Sequence, residues 1–420
     1  MMNRIAWKAC LALFLIPFFT PFKAGKEDVD SVVEHGAKKT ISMGQLNLYS
    51  EENGISPERL ERIIGIIKRE NCDIYTIQEA MCKSDQDLIK ERLPEYSCIF
   101  SSQCAPPPYP TQLLCLSTML GGMSVATCAY LYYSGTPLLS RFSMLAGGLA
   151  LLSCCTASPF IKTLTYWQSQ IARDVSKGEA DLTGVGILVK KSIIAAGPDG
   201  TPLFSKVAAD HFQPSGYDYS SPFGWKETAH GYVPRILTFS FDLILSTLFR
   251  PGYVIGKLKL ASSHKILLIA SAHFPIGYGN RKRSATVVAF RKALAEQMAQ
   301  EHYDSVLIGA DMNTSAMYST DIDLMKRGEE EFSLLDAWQV TAGDGGATWD
   351  NANPIVIEQK KRLFGFLGSV QSQPNARIDH VFVKEGSFLS PIRATLFAQG
   401  KDVCSDHHGV RIIFESNEDV

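Results

Sequence analysis

The chain has 420 residues, 45% hydrophobic and 20% charged, an ordinary composition for a folded protein that excludes a minimal domain and allows a sizeable core. Forty-one Lys and Arg stand against 43 Asp and Glu, so a net charge of -2 supplies no global positive field to attract a polyanion such as DNA. The ten cysteines are scattered, with no Cys/His group at zinc spacing, and signal neither a zinc site nor a disulfide scaffold.

In chain order, Arg4 and Lys8 precede an apolar stretch over 9–22, so residues 1–24 are expected to act as a signal peptide or N-terminal anchor. Ser56 is placed to cap a helix whose first turn accommodates Pro57 and whose apolar face is Leu60, Ile63, Ile64 and Ile67. A strand is predicted over 73–78. The stiff PPPYP at 106–110 marks the start of an insertion over 105–162 with two uncharged runs, 113–133 and 142–161. A helical run of ~20 residues matches a hydrocarbon core of ~30 Å, so the pair is expected to form a transmembrane hairpin with both ends on one side; two helices buried in a large core are the competing reading. Further strands are predicted over 184–189, 253–260, 265–272, 305–310, 378–383 and 409–414, and a helix from about Ser284 with Val287, Phe290, Leu294 and Met298 on one stripe. Strands alternating with helices predict one mixed α/β domain over 40–415, interrupted by the insertion.

Polar residues recur at the C-terminal ends of the strand-like runs, where a sheet projects side chains into a common cleft: QLN at 45–47, IQE at 77–79, SAH at 271–273, IGADMN at 308–313, RID at 377–379 and SDHH at 405–408. Taken singly, each is as readily a solvated loop or a cap. Asp311 and Asn313, two apart, would point the same way if their segment stays extended.

In their order along the chain these six motifs resemble the endonuclease/exonuclease/phosphatase superfamily. The stretches NLYSEENGISPERLERI from Asn47, GYVIGKLKL before ASAHF, LLDAW at 334–338, ATWDNANP at 347–354 and ARIDHVFVK at 376–384 resemble its neutral sphingomyelinase branch, the magnesium-dependent phospholipases C. The resemblance implies a four-layered α/β sandwich with two packed sheets flanked by helices, and a divalent metal site for Mg²⁺, with Mn²⁺ as the alternative. It implies that Glu79 is the principal metal carboxylate, with Asn47 and Asp406 beside it. It further implies that His407 is the general base, that Asp379 orients it, and that Asp311, Asn313 and His273 act on the phosphate or its attacking water. Hydrolysis of a phospholipid or sphingolipid by a membrane-associated enzyme follows as the expectation, with no nucleic acid as partner. A nuclease of the same superfamily and a catalytically retired, membrane-anchored interaction protein are the rivals. The sequence leaves the roles of His380 and His408 open.

Overall fold

The computed structural model describes residues 40–49, 55–101, 184–211, 225–228, 231–234, 252–275, 280–314, 319–328, 330–343, 345–358 and 375–417. Residues 1–24 and the two uncharged runs at 113–133 and 142–161 lie outside them.

The first half of the chain supplies β1 (Thr40–Asn47), α1 (Pro57–Glu70), β2 (Ile74–Gln78), α2 (Lys83–Arg92), β3 (Tyr96–Phe100), β4 (Gly186–Lys190) and β5 (Phe204–His211). A short ribbon of β6 (Trp225–Thr228) and β7 (Gly231–Pro234) precedes β8 (Gly252–Lys259), β9 (Ile266–His273), α3 (Asn280–Gln300) and β10 (Ser305–Asp311). The last third contributes α4 (Ser319–Lys326), β11 (Leu334–Asp336), α5 (Ala337–Ala342), β12 (Asp379–Lys384), β13 (Leu389–Phe397) and β14 (Gly409–Ser416).

Among the described residues the strands form two six-stranded mixed sheets, ordered β13-β14-β1-β2-β4-β3 and β11-β12-β10-β9-β8-β5. Each has a parallel pair at its centre, β1 with β2 and β9 with β10, and antiparallel strands outside it. A parallel pair needs a crossover, and α1 and α3 supply the two.

Side chains alternate between the two faces of each sheet with the strand period of two, and the buried apolar residues fall into three layers. Met43, Ile74, Ile187 and Val410 meet Ile269, Leu307, Val381 and Val254 between the sheets. Leu60, Ile63, Ile64 and Ile67 of α1 cover Leu46, Tyr75, Ile77 and Leu188 on the outer face of the first sheet. Val287, Phe290 and Leu294 of α3 cover Leu268, Ala270, Ile308 and Phe382 on the outer face of the second. The result is the four-layered sandwich the motifs implied, and both helices bury the stripes expected of them. Ser56 caps α1 through its hydroxyl, and Pro57 opens it.

The expectation of a transmembrane helix is corrected: no helix among the described residues is long and apolar enough to cross a membrane. The longest, α3, carries Arg291, Lys292 and Glu296 along its length, and the runs that prompted the expectation are not among the described residues.

Candidate active site

Along each central strand the inward-facing positions turn from apolar to polar at one end. Met43 is followed by Gln45 and Asn47, Ile74 by Thr76 and Gln78, Ile269 by Ser271 and His273, and Leu307 by Gly309 and Asp311, every one of them buried. Because β1, β2, β9 and β10 all end there, and because β12 and β14 run antiparallel to their neighbours and begin there, six chain segments converge on one end of the inter-sheet space.

Glu79 stands just past β2 with a left-handed backbone, φ 60°, a conformation that non-glycine residues adopt mostly where the surroundings enforce it. Its carboxylate and that of Asp311 are bridged by one amide: Asn47 Nδ2 donates to Glu79 Oε1 and to Asp311 Oδ2, both at 2.9 Å. The orientation of that amide is fixed because its Oδ1 accepts from Tyr49 N at 2.9 Å. Asn47 therefore faces the cluster as a donor to two carboxylates. His273 Nε2 lies 3.7 Å from Glu79 Oε1 and 3.6 Å from Asp311 Oδ2. Ligand atoms of Glu79, His273 and Asp311 all fall within 4.8 Å of one another, and so do those of Asp311, Asp379 and His407.

His407 Nδ1 bonds Asp379 Oδ2 at 2.7 Å, which turns Nε2 toward Asp311 Oδ2 and Asp406 Oδ1, each 3.9 Å away. Burial alone would depress the imidazole pKa, but Asp379, Asp406 and Asp311 outweigh it and hold His407 well above the ordinary histidine range. Burial would likewise raise the Asp379 carboxyl; His407 and the bonds from His407, Thr348 and Gln45 bring it below its usual value. Glu79 and Asp311 are pushed up, first by burial and then by the neighbouring carboxylates of Asp406 and Asp379 respectively.

These shifts test whether the site suits a metal. Glu79, Asp311 and Asp406 place three acidic side chains on a buried cluster in which two carboxylates are disfavoured as anions, and a hard divalent cation with oxygen ligands would offset that charge. Such an ion would also weaken the pull on His407 and move the imidazole toward the neutral form that a base requires. The donor set fits.

Asn313 departs from the expectation of an extended segment. The strand ends at Asp311, Asn313 takes φ 48°, its N–H donates to Asp311 Oδ1 at 2.9 Å, and its Nδ2 donates to Phe274 O at 2.8 Å. The left-handed turn breaks the period of two that would have set the side chains parallel. The two remaining histidines also find places: His380 Nδ1 sits 3.0 Å from Asp336 Oδ2 and from Arg377 Nη1 on the outer face of β12, and His408 Nδ1 pairs with Ala398 O at 3.2 Å. Arg377 clasps Asp336 at 2.7 and 2.9 Å, and Asp336 Oδ1 in turn caps α5.

The ATWD stretch does more than its motif suggested. Thr348 Oγ1 accepts from Ile378 N and Asp379 N, each at 3.1 Å, while Thr348 O accepts from His408 N at 2.8 Å, so this loop stitches the Asp379 strand to the His407 segment. Trp349, half-buried, sets its ring edge-on to His407 at 5.3 Å; Trp338 is a core residue. Behind the dyad lies a buried chain of amides, Gln45 and Gln78, for which the sequence offered only the strand-end motifs QLN and IQE.

No curated protein matches the chain. Solved structures are similar to the chain at low identity. An endonuclease/exonuclease/phosphatase family protein from Bacteroides thetaiotaomicron is 13% identical, with a TM-score of 0.48 and 90% of this chain and 98% of that one covered. A mannosyl-6-phosphatase from the same species is 14% identical (TM-score 0.46; 89% and 99% covered), and a truncated TDP2 from Caenorhabditis elegans is 15% identical (TM-score 0.45; 90% and 98% covered). The sequence profile of the Endonuclease/Exonuclease/phosphatase family matches residues 44–407, a span that begins in β1 and closes on the imidazole of the dyad. This chain belongs to that family, whose members are phosphoester hydrolases that generally use divalent metals.

Proposed function

We propose that the protein is a magnesium-dependent phosphodiesterase of the sphingomyelinase-like phospholipase C type, acting on a choline-type lipid at a bilayer surface. The observation that carries the hydrolytic part is the placement of His407: held by Asp379 through Nδ1, it turns Nε2 to the same buried point that Glu79, Asp311, Asp406 and His273 face. In this reading His407 accepts a proton from a water molecule as the water oxygen attacks phosphorus in line. The phosphorus–oxygen bond to the lipid breaks, the departing lipid oxygen takes a proton from solvent water, and the phosphorylated head group leaves; the proton on His407 returns to solvent afterwards. Asp379 stabilises the imidazolium formed, and His273 donates to a phosphate oxygen as negative charge builds there. Glu79, Asp311 and Asp406 would hold Mg²⁺, with Asn47 fixing two of the three carboxylates; when bound, the ion supplies charge neutralisation at the phosphate oxygens.

Two observations support a lipid. The sphingomyelinase-like stretches include the ATWD loop that joins Asp379 to His407. The segment containing the two uncharged runs also leaves after Ser101 and returns at Gly184, whose carbonyl accepts from Ala80 N at 2.8 Å. It is thus rooted one residue from Glu79.

Purified protein assayed with Mg²⁺ or EDTA against labelled sphingomyelin, phosphatidylcholine and DNA tests the reading. Magnesium-dependent release of phosphocholine is expected. Hydrolysis of DNA with the lipids untouched would make the protein a nuclease, and inactivity on all three would favour a retired enzyme.

A further inference from the structure

Gln45 occupies the inward position two residues before Asn47 and is fully buried. Its Nε2 donates at 2.8 Å to Asp379 Oδ1 and at 2.8 Å to Gln78 Oε1. Gln78 Nε2 donates to Ser271 Oγ at 3.1 Å, and Ser271 Oγ donates to the carbonyl of Ile77 at 3.0 Å. Every link has one possible sense. Ser271 gives its proton to a backbone carbonyl, so its oxygen is left to accept; Gln78 must then present its amide oxygen to Gln45, and Gln45 must present its amide nitrogen to Asp379. A chain of neutral groups thus runs from the main chain of β2, through β9 and β1, to the Asp379 oxygen opposite the one that binds His407.

We propose that Gln45 is a positioning residue for the base: it clamps one oxygen of the Asp379 carboxylate so that the other, bonded to His407 Nδ1, sets the tilt of the ring and aims Nε2 at the phosphate site. The inference rests on the reading of His407 and Asp379 as base and orienter. A space-filling role alone explains less. Gln45 Oε1 accepts no hydrogen bond among the described residues, so an apolar residue of the same length would fill the space without burying an idle carbonyl. What glutamine adds at this position is its donor end, and that end reaches Asp379.

The test replaces the donor while keeping the length, with Gln45→Met, and reads the full-length protein in two ways. Proton NMR follows the downfield N–H signal of His407 Nδ1, identified by its loss in His407→Ala; a shift or broadening of that signal is expected in Gln45→Met. With Mg²⁺ and sphingomyelin, kcat should fall on the order of 10- to 100-fold, the usual effect of losing a partner behind a site residue. KM should stay within about twofold, and the loss should vanish in an Asp379→Ala background, because the two residues then act through the same group. Ser271→Ala breaks the chain at its anchored end and should move the signal in the same direction by less; it carries the test if Gln45→Met does not fold. An unmoved signal in a folded variant, or an undiminished kcat loss without Asp379, overturns the proposal. A wild-type protein that hydrolyses no phosphodiester overturns the parent reading instead, and the NMR result still decides whether Gln45 sets the ring.

Discussion

The crossover β1–α1–β2 and the crossover β9–α3–β10 hold equivalent places at the centres of the two sheets, yet they serve the site differently. The first ends in Asn47 and Glu79, the second in His273 and Asp311. In each, an arginine in the first turn of the helix fastens a loop of the site. Arg59 of α1 donates to Leu48 O at 2.9 Å, to Tyr49 O, and to Cys404 O at 3.3 Å, so it ties the segment after Asn47 to the one before Asp406. Arg283 of α3 donates to Asn313 O at 2.9 Å but is itself held by Asp321 at 2.6 Å, a buried pair within its own half of the molecule. The first crossover thus couples to a distant part of the chain through neutral carbonyls. The second is secured locally by charge.

The largest effects expected are on rate, and they separate the segment that Arg59 ties down from the rest. His407→Ala should reduce kcat by about 10² to 10⁴, and added Mg²⁺ should restore none of it, since a cation does not accept the proton. Glu79→Gln keeps the shape and removes the charge, so part of its loss should return at high Mg²⁺. Titration of both variants with Mg²⁺ is the measurement; recovery of His407→Ala at high metal would remove this histidine from the role of base.

Next come the two arginines, whose removal tests the comparison directly. Arg283→Met leaves the buried Asp321 carboxylate without its cation, with the Ser284 hydroxyl still bonded to it, and should destabilise by about 3 kcal/mol, the low end for breaking a buried pair. Arg59→Met frees the neutral carbonyls of Leu48, Tyr49 and Cys404, so its cost should be smaller, about 1–3 kcal/mol. In catalysis the order should reverse, because Arg59 alone spans two loops of the site. Urea unfolding and kcat on the same pair of variants give both orders, and a larger kcat loss in Arg283→Met would refute the asymmetry.

How far this arrangement could be read from sequence depended on where each segment lies. Strands β2, β4, β8, β9, β10, β12 and β14 announce themselves because both faces or a clean alternation are apolar. β3, β5 and β13 lie at the sheet edges with partly exposed residues, and β13 is further broken by an irregularity between Pro391 and Arg393, so their sequences carry no clean strand pattern. Among site residues, the strand-end motifs located Glu79, His273, Asp311, Asp379 and His407, which the fold brings together. The left-handed turn at Asn313 and the bond from Gln45 to Asp379, 334 residues apart in sequence, follow from tertiary structure and leave no local trace.

The two crossovers also meet face to face, and there the tolerance is small. A Cβ placed on Gly309 of β10 would stand 1.8 Å from Thr76 Oγ1 of β2 and 3.1 Å from Met43 Cε of β1. Gly309→Ala should therefore cost about 1–3 kcal/mol through overpacking. Thr76→Ala in the same chain should return only the part due to the hydroxyl, since the Cβ that alanine keeps still stands 2.8 Å from the added methyl. Thermal unfolding of the two single variants and the double variant gives the coupling; strict additivity would mean that the sheets shift apart at this point.

The smallest effect concerns the cap of α1 and asks whether the first crossover transmits stability or geometry to the site. Ser56 Oγ accepts from Arg59 N at 3.4 Å in an exposed position, a long bond, so Ser56→Ala should cost about 0.5–1 kcal/mol, the low end for such caps. The residue whose backbone it holds is also the residue whose guanidinium binds Leu48, Tyr49 and Cys404. If the guanidinium is located by those three carbonyls, the helix start can loosen without disturbing them: kcat should stay within about twofold, consistent with the small size of the cap term. Amide exchange should quicken only in the first turn of α1. A fall in kcat of tenfold or more, with exchange quickened through Tyr49 and Cys404 as well, would show that the helix terminus sets the position of Arg59. In that case the first crossover would reach the base through the cap as well as through the side chain.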